Sequence, residues 1–424
     1  MKILPSGVIV NGPKIPVLNI EIKTDGKRRL NNWLMGFLDY TSQAESPIDY
    51  LRWVGLSTIA GAAQRKVYMD MELYYIMSNM FVTLVGPPGS KKSTAIRQGR
   101  KLLAKIPSIA LSSDAPSVAG LMEEFTDLTK TCKEHQSLNA FVYELSSLYE
   151  NAKETMNGFL TAIYDGDSDY IKRTRVGGKE HIPFPWLNMV SGTTPTWLGD
   201  NLTKAAIEGG LVARNIYVYS GERILKTPRP GRSTALDKLK EDLTHDLAHI
   251  SQLRGEFAFE EHAGKWYDKW YLNEDDAEYT RIVGPYVNRF PRVTDNRTAG
   301  YYERKAIHLV KVAMAVSLSQ KDALILTLDD LLTALALLES VEEGMVRAFS
   351  SVGGNTYAND LERIRAQIGT AGKAGLDYSE IVSANFHMLN KEMIDMTLES
   401  LEAMGVVSRK FDMNGGSKRY FRIG

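Results

Sequence analysis

The sequence of 424 residues has one cysteine, no excess charge of either sign and no long apolar run. Its Cys132 cannot close a disulfide within the chain, which fits a reducing compartment, and its surroundings do not suggest a catalytic thiol. The first residues have no apolar segment of the signal-peptide kind. The longest apolar stretch, 306–318, is interrupted by Lys311 and is too short to span a bilayer. We therefore expect a soluble cytoplasmic protein with no membrane partner.

The balance of charge limits how the chain could meet nucleic acid. Lysine plus arginine and aspartate plus glutamate number 51 each, so any such contact must come from local basic patches. Hydrophobic residues make up 44% of the chain, which is enough for a sizeable core. The length suggests roughly two to four units, and no internal repeat is visible.

Short apolar runs alternate with helical patterns in the middle of the chain. Strands are predicted at 81–86, 109–111, 140–145, 186–191 and 215–220, and helices at 94–104 and 117–128. Strands that alternate with helices predict a parallel sheet covered on both faces. In chain order we expect an extended arm (1–28), a helical region (29–80), an α/β core (81–225), a helical, lid-like region (226–350) and a separate C-terminal unit (356–424).

The C-terminal unit follows a hinge rich in glycine and serine. Helices are predicted at 361–368, 378–384 and 391–404, and strands at 406–411 and 418–422 around the turn Asn414-Gly415-Gly416. Three helices and a hairpin form the pattern of a winged-helix domain. The third helix is acidic, with Glu392, Asp395, Glu399 and Glu402, which disfavours base reading. The hairpin carries Arg409, Lys410, Lys418 and Arg419, which favours phosphate contact, although protein docking is a second interpretation.

The strongest local signal follows the first strand of the core. It is the run Gly86-Pro87-Pro88-Gly89-Ser90-Lys91-Lys92-Ser93-Thr94. Small residues let backbone N–H groups wrap a phosphate, Lys92 would reach the β and γ oxygens, and Ser93 would bind Mg²⁺. The helix that starts near Ser93 adds its positive end. Lys91 stands where a second glycine is usual, which could weaken or retune binding.

Three further positions complete this nucleotide-site hypothesis. Glu144 ends the strand 140–145 and could hold Mg²⁺ or activate water, although Tyr143 replaces the usual aspartate before it. A partner carboxylate could come from Asp165 or Asp167. Thr193 or Thr194, after another strand, could contact the γ-phosphate, with Asn188 a weaker choice. Arg214 could stabilise transition-state charge on a neighbouring subunit's phosphate, or be an ordinary surface arginine.

Two other motifs carry alternatives. A basic hairpin with its turn at Gly177-Gly178 could grip single-stranded DNA through Lys172, Arg173, Arg175 and Lys179, or be a solvated loop. His245 and His249 stand four residues apart on a predicted helix, and Glu260, Glu261 or His262 could add a third zinc ligand. Asp246 replaces the glutamate that zinc proteases need beside the first histidine, so we favour a polar surface helix.

Taken together, these motifs resemble a family of helicase-like P-loop proteins of phages, prophages and plasmids. Its members are often joined to or found beside a primase, and are related to hexameric replicative helicases of superfamily 3 and AAA+ type. The resemblance covers residues 46–338 and lies in Asn79-Met80, Ser113-Asp114-Ala115-Pro116-Ser117, Ile163-Tyr164-Asp165-Gly166, Gly192-Thr193-Thr194-Pro195 and Gly210 to Arg214.

The resemblance implies a P-loop NTPase fold of AAA+ or superfamily 3 type, with helical flanking regions and a C-terminal winged helix. It implies a ring, expected to be a hexamer, with ATP and Mg²⁺ between subunits, and it assigns Lys92, Ser93, Glu144, Thr194 and Arg214 by position. The expected activity is ATP-driven translocation on single-stranded or forked DNA, with a primase on a separate chain. The alternative is a nucleotide-switched helicase loader or origin-binding ATPase.

Overall fold

A computed structural model describes residues 28–114, 116–131, 135–149, 153–174, 178–201, 210–220, 227, 231, 233–272, 296–349, 356–386, 389–411 and 418–422. Residues 1–27 of the predicted arm, Cys132 and the hinge 350–355 lie outside the described residues. The chain divides after Phe349 into two compact units, and each is described by itself.

The first unit is built around a five-stranded parallel sheet. In spatial order its strands are β4 (Ala110–Leu111), β5 (Gln136–Val142), β8 (Pro185–Thr193), β3 (Phe81–Val85) and β9 (Asn215–Tyr219). Every residue of β3, β5 and β8 is buried, as expected for parallel strands with both faces covered. The predicted parallel sheet in an α/β unit is therefore confirmed.

Helices cover the sheet because the chain must cross over between parallel strands. One group contains α1 (Trp33–Tyr40), α2 (Ile48–Ala63), α3 (Lys92–Leu103) and α8 (Thr234–Ile250), which pack against one another. A second contains α4 (Val118–Thr131), α5 (Ser146–Tyr149), α6 (Lys153–Ile163) and α7 (Pro195–Asn201). A third contains α9 (Glu261–Leu272), α10 (Asn296–Gln320) and α11 (Leu328–Ala348); α10 packs along α11, and α11 reaches β9.

Small strands occur in the two regions that were predicted to be mainly helical. β1 (Val67–Asp70) pairs antiparallel with β2 (Tyr75–Met77) and parallel with β10 (Gly255–Glu256). β11 (Ala258–Phe259) pairs with β12 (Ile325–Leu326). The two-residue pairings β1–β10 and β11–β12 join distant segments and leave no periodic pattern in the sequence, which is why they were missed. A separate hairpin of β6 (Tyr170–Thr174) and β7 (Gly178–Ile182) lies between α6 and β8 in the chain.

The second unit contains α12 (Thr356–Thr370), α13 (Tyr378–Asn385) and α14 (Lys391–Ala403) with a three-stranded antiparallel sheet. Its strand order is β13 (Leu376–Asp377), β15 (Lys418–Arg422) and β14 (Val407–Phe411). The core is aliphatic and includes Ile364, Ile368, Ile381, Ile394 and Leu398. None of the helices in the described part of the chain combines the length and the apolar character that a membrane-spanning segment requires.

Candidate active site

The predicted phosphate loop, Glu144 and Thr194 meet at one edge of the sheet. The loop follows β3, Glu144 follows β5 and Thr194 follows β8, and the carboxyl ends of parallel strands share an edge. Together they surround a cavity of about 370 Å³. Its lining consists of Pro88, Gly89, Ser90, Lys91, Lys92, Ser93, Thr94, Glu144 and Thr194.

Two glycines give the loop its shape. A Cβ on Gly86 would lie 2.3 Å from Tyr50 Oη and 2.5 Å from the Ser220 carbonyl oxygen, so no larger residue fits there. Gly89 has φ +79°, in the left-handed region that glycine adopts without steric cost. Tyr50 Oη donates to the carbonyl oxygens of Val85 (2.6 Å) and Ser220 (2.9 Å), and burial raises the pKa of Tyr50 to about 12. These contacts hold the start of the loop against α2 and the end of β9.

Lys92 is the buried cation of the cavity. Its Nζ donates to the carbonyl oxygens of Gly86 (2.8 Å) and Pro87 (3.1 Å) and to Ser90 Oγ (3.2 Å). Burial lowers the pKa of Lys92, while the charge of Glu144 opposes that shift. The helix α3 begins at Lys92, so the backbone N–H groups of its first turn point toward the cavity. This arrangement can receive an anion.

Lys91 adopts the conformation that its position demands. Its backbone has φ +63° and ψ +25°, the left-handed region, where a glycine would carry no steric cost. The lysine that replaces the usual glycine therefore adds a side chain to the cavity, while the loop backbone keeps a glycine-like conformation. The cost of that conformation for a non-glycine residue is about 1–2 kcal/mol.

The residues after β5 and β8 differ in their access to the cavity. Glu144 is exposed, and the neighbouring N–H of Leu145 donates to the Gly192 carbonyl oxygen at 2.7 Å, which joins the two strand ends. Thr194 Oγ1 accepts the Trp197 N–H at 3.2 Å and so caps α7, and it keeps its own O–H to donate. Thr193 is buried at the end of β8. Of the polar residues proposed on this strand, Thr194 is the one that lines the cavity.

Asn188 has a structural environment. Its Nδ2 donates to the Ser57 carbonyl oxygen (2.9 Å) and to Asn139 Oδ1 (3.1 Å), and its Oδ1 accepts the Met80 N–H (3.0 Å). A buried amide with partners on α2, β5 and the approach to β3 fixes these elements together. It lies in the middle of β8 and away from the carboxyl edge.

Arg214, Asp165 and Asp167 do not join the cavity. Arg214 immediately precedes Asn215, which pairs with Phe81 at the start of β3, so it lies at the amino edge of the sheet. A five-residue strand, roughly 17 Å long, separates that edge from the phosphate loop. Asp165 accepts Arg214 at 3.1 Å and Arg304 at 3.0 Å, and it lines a second cavity with Asp167. The suggested partnership of either aspartate with Glu144 is therefore not supported by the geometry.

The buried Lys311 also lines this second cavity. Lys311 Nζ donates to Asn79 Oδ1 (2.7 Å) and the Met77 carbonyl oxygen (3.0 Å), and it lies 4.6 Å from the centroid of the Tyr164 ring. Burial lowers the pKa of Lys311 to about 7, with Asp165 opposing and Arg304 adding to that shift. In the sequence, Lys311 stands out only as a lone lysine that interrupts an apolar run.

The lowered pKa of Lys311 predicts a pH-dependent stability. Between pH 7 and 10 the unfolded chain keeps the proton and the folded chain does not, so the free energy of unfolding should rise with pH. We expect urea unfolding at pH 7 and pH 9 to show this rise in the wild type and a smaller rise in Lys311→Met. Lys101→Met, which removes an exposed lysine of α3, is the control and should keep the wild-type slope. Equal slopes in all three proteins would contradict the assignment.

The described residues among those predicted to bind DNA lie on two pairs of antiparallel strands, β6–β7 and β14–β15. In the first, β6 carries Lys172 and the exposed Arg173, and Arg173 pairs in register with Lys179 on β7. Arg175 and Gly177 lie outside the described residues. In the second, Arg409 forms an ion pair with Glu402 at 3.3 Å, and Lys410 Nζ lies 5.4 Å from the Phe421 ring centroid. Lys418 and Arg419 are exposed there, as phosphate contact requires.

The histidine pair of α8 has carboxylate neighbours. His245 Nδ1 lies 2.9 Å from Asp246 Oδ1, and His249 Nε2 lies 3.0 Å from Asp322 Oδ2. Within the described ranges, no group of three or more histidine, cysteine, aspartate or glutamate residues is arranged to hold a metal ion. The zinc alternative therefore has no support in the described part of the chain.

The fold and the cavity define a class only coarsely, as a parallel α/β unit of the Rossmann-like or P-loop-like kind with polar residues at the carboxyl edge. No protein-family model matches the chain, and comparison with curated proteins gives no significant match. What the site does must therefore be argued from its residues.

Proposed function

We propose that the chain is a P-loop ATPase of AAA+ or superfamily 3 type that drives translocation along DNA. The observation that carries this proposal is the joint lining of one cavity by Lys92, Glu144 and Thr194, which come from three different strand ends. The order of the sheet adds support, since the strand of Thr194 lies between the phosphate-loop strand and the strand of Glu144. A site of this shape offers a cation, a carboxylate and a hydroxyl to one triphosphate.

The residues present fit Mg-ATP. Backbone N–H groups of the loop and of the first turn of α3 would bind the β-phosphate, and Lys92 would bridge the β and γ oxygens. Ser93 and Glu144 offer hydroxyl and carboxylate oxygens, the ligands that Mg²⁺ prefers alongside phosphate. The ion, when bound, would neutralise charge that develops on the phosphates. Glu144 would hold the attacking water and take its proton, and Thr194 would donate to the γ-phosphate.

The position of Arg214 supports sites shared between subunits. It lies at the opposite edge of the sheet from the loop of its own chain, so a nucleotide phosphate that it contacts would be one held in the loop of another copy. A ring, expected to be a hexamer, would bring that edge to a neighbour's cavity. Mixed assemblies of two variants test this proposal directly, as argued in the Discussion.

We propose that DNA is the polymer along which the protein moves. The β6–β7 hairpin presents Lys172 and Arg173, and the proposed wing of the second unit, β14–β15, presents Lys418 and Arg419. Cations on hairpins can bind backbone phosphates without reading sequence. The most specific form of the proposal is the replicative helicase of a phage or mobile element, with priming by a separate chain. The α14 helix is acidic, so we assign base reading to neither unit.

A helicase loader or origin-binding ATPase is the second candidate. Lys91 favours it, because a side chain at a glycine position could slow turnover and suit a switch better than a motor. Strand separation of a forked DNA substrate distinguishes the two functions, since a loader would bind ATP and unwind little.

The first experiment compares ATP hydrolysis by the wild type and Lys92→Ala, with and without single-stranded DNA. We expect DNA to stimulate the wild type and the substitution to abolish hydrolysis, because it removes the buried cation of the cavity. Lys101→Ala, on the exposed face of α3, is the matched control and should behave as the wild type. Hydrolysis that is slow and indifferent to DNA would reject the motor and favour the switch. Hydrolysis unaffected by Lys92→Ala would reject the site itself.

A further inference from the structure

An ion pair joins two strained residues at the rim of the phosphate loop. Glu45, in the segment between α1 and α2, has φ +54°, and Lys91 has φ +63°. Lys91 Nζ lies 3.2 Å from Glu45 Oε2, and Ser46 Oγ donates to the Lys91 carbonyl oxygen at 3.0 Å. Non-glycine residues with such φ values are uncommon, and they persist where the surroundings hold them in place.

The carboxylate of Glu45 is held from its other side as well. Its Oε1 accepts the Thr227 N–H at 2.7 Å, which leaves Oε2 directed at Lys91. The Glu45 side chain is 17% exposed and that of Lys91 is 36% exposed. The Lys91 side chain is therefore the more accessible partner of the ion pair.

Lys91 stands between two cavities. It lines the phosphate-loop cavity, and with Glu45, Thr94 and Gln98 it also lines a neighbouring cavity of about 560 Å³. Lys91 and Thr94 are common to both linings, so the two spaces adjoin at these residues. From this position the ammonium group can face either the carboxylate of Glu45 or an anion in the loop.

We propose that Lys91 is a second cation for the phosphates of the bound nucleotide, and that Glu45 competes with those phosphates for it. This inference rests on the proposed function, since it needs a nucleotide in the loop. A glycine at 91 would give the same backbone without strain, so the backbone does not require a lysine. The ammonium group is what the lysine adds to the lining of the loop cavity.

The competition predicts opposite effects for two substitutions. Lys91→Gly keeps the backbone conformation and removes the cation, so the Kd for ATP should rise about tenfold, the size of one charge-assisted contact. Glu45→Gln removes the competing charge and leaves Lys91 free for phosphate, so the Kd for ATP should fall roughly two- to fivefold. Adenosine has no phosphate, and its affinity should change in neither variant.

The experiment uses the full chain and titrates a fluorescent ATP analogue, with ATP, ADP and adenosine as competitors. Two controls match the variants: Lys101→Ala removes an exposed lysine of α3, and Glu72→Gln neutralises an exposed glutamate with φ +62° away from the loop. Thermal unfolding is measured alongside. Lys91→Gly should melt no lower than the wild type, because glycine accepts φ +63° without strain.

Each outcome bears on the proposal. Unchanged or tighter ATP binding by Lys91→Gly would overturn it, because the side chain would then contribute nothing to phosphate binding. Equal weakening by Lys91→Gly and Glu45→Gln would also overturn it, because the pair would then only brace the loop. If the wild type binds no nucleotide, or if Lys92→Ala binds nucleotide as tightly as the wild type, the proposed function is refuted and this inference with it. The comparison of the wild type with Lys92→Ala separates that result from a defect of Lys91 alone.

Discussion

Replacing Glu144 with glutamine is expected to leave ATP binding nearly intact and to slow hydrolysis by roughly two to four orders of magnitude. Of the residues that line the phosphate-loop cavity in the described part of the chain, Glu144 alone carries a carboxylate. Glutamine keeps the size and the hydrogen-bonding oxygen of the side chain but cannot accept a proton from water. At saturating Mg²⁺ the loss should therefore appear in kcat and leave the Kd for ATP almost unchanged.

The same variant tests whether Tyr143 weakens the site. The usual aspartate before the glutamate would help to hold Mg²⁺, and here the preceding side chain is a tyrosine that lies 5.5 Å from the Arg97 guanidinium carbon. If Glu144 also holds the ion, Glu144→Gln will raise the Mg²⁺ concentration needed for ATP binding. Glu123→Gln, on the exposed face of α4, is the control. If Glu144→Gln still hydrolyses ATP at the wild-type rate, another residue must act as the general base.

The strand, turn and helix of residues 81–103 were predictable because all of their determinants are adjacent in the sequence. A β-branched run, a glycine-rich turn and a helix start follow one another from Phe81 to Leu103, and local preferences suffice to form them. The meeting of Glu144 and Thr194 was also predictable, because both follow strands that a parallel sheet aligns at one edge. The left-handed backbone of Lys91 follows from the geometry of the loop. The sequence shows only that a lysine stands where a glycine is usual.

The cluster around Asp165 was not predictable from local pattern. Asp165 follows Glu144 by only 21 positions, which made it a candidate partner, but the helix α6 returns the chain to the amino edge of the sheet. There it meets Arg214, Arg304 and Lys311, which come from two other parts of the chain. Burial alone would raise the pKa of Asp165, but the positive charges of Arg304, Arg214 and Lys311 together lower it. Contacts of this kind depend on tertiary packing and have no signature along the chain.

Arg214→Ala is expected to lose hydrolysis by itself and to regain it when mixed with Lys92→Ala. The loss should be about a thousandfold or more, the size found for arginines that stabilise a transferring phosphate. In a mixed ring, an Arg214→Ala subunit keeps its phosphate loop, and a Lys92→Ala neighbour supplies the missing arginine. Some interfaces then hold a complete site, so two inactive proteins together should hydrolyse ATP.

The bonds of Arg214 within its own chain decide which controls are needed. Arg214 donates to Asp165 and to the Gly210 carbonyl oxygen (3.1 Å), so its removal could simply destabilise the fold. Arg304 can still pair with Asp165 in Arg214→Ala. The thermal unfolding temperature of this variant should therefore fall only modestly. Arg214→Lys keeps the charge but not the planar fork, and we expect it to remain nearly inactive. Asp165→Asn removes the carboxylate that orients both arginines and should lower activity while leaving nucleotide binding unchanged.

Failure of the mixture to recover would show that Arg214 serves only its own chain. The distance between the two edges of the sheet excludes a contact with its own phosphate loop, so the residue would then be structural, and the ring with shared sites would lose its main support. Recovery would have the opposite consequence. It would require that the amino edge of one copy faces the carboxyl edge of the next, and a head-to-tail contact of this kind forms a ring when its rotation closes.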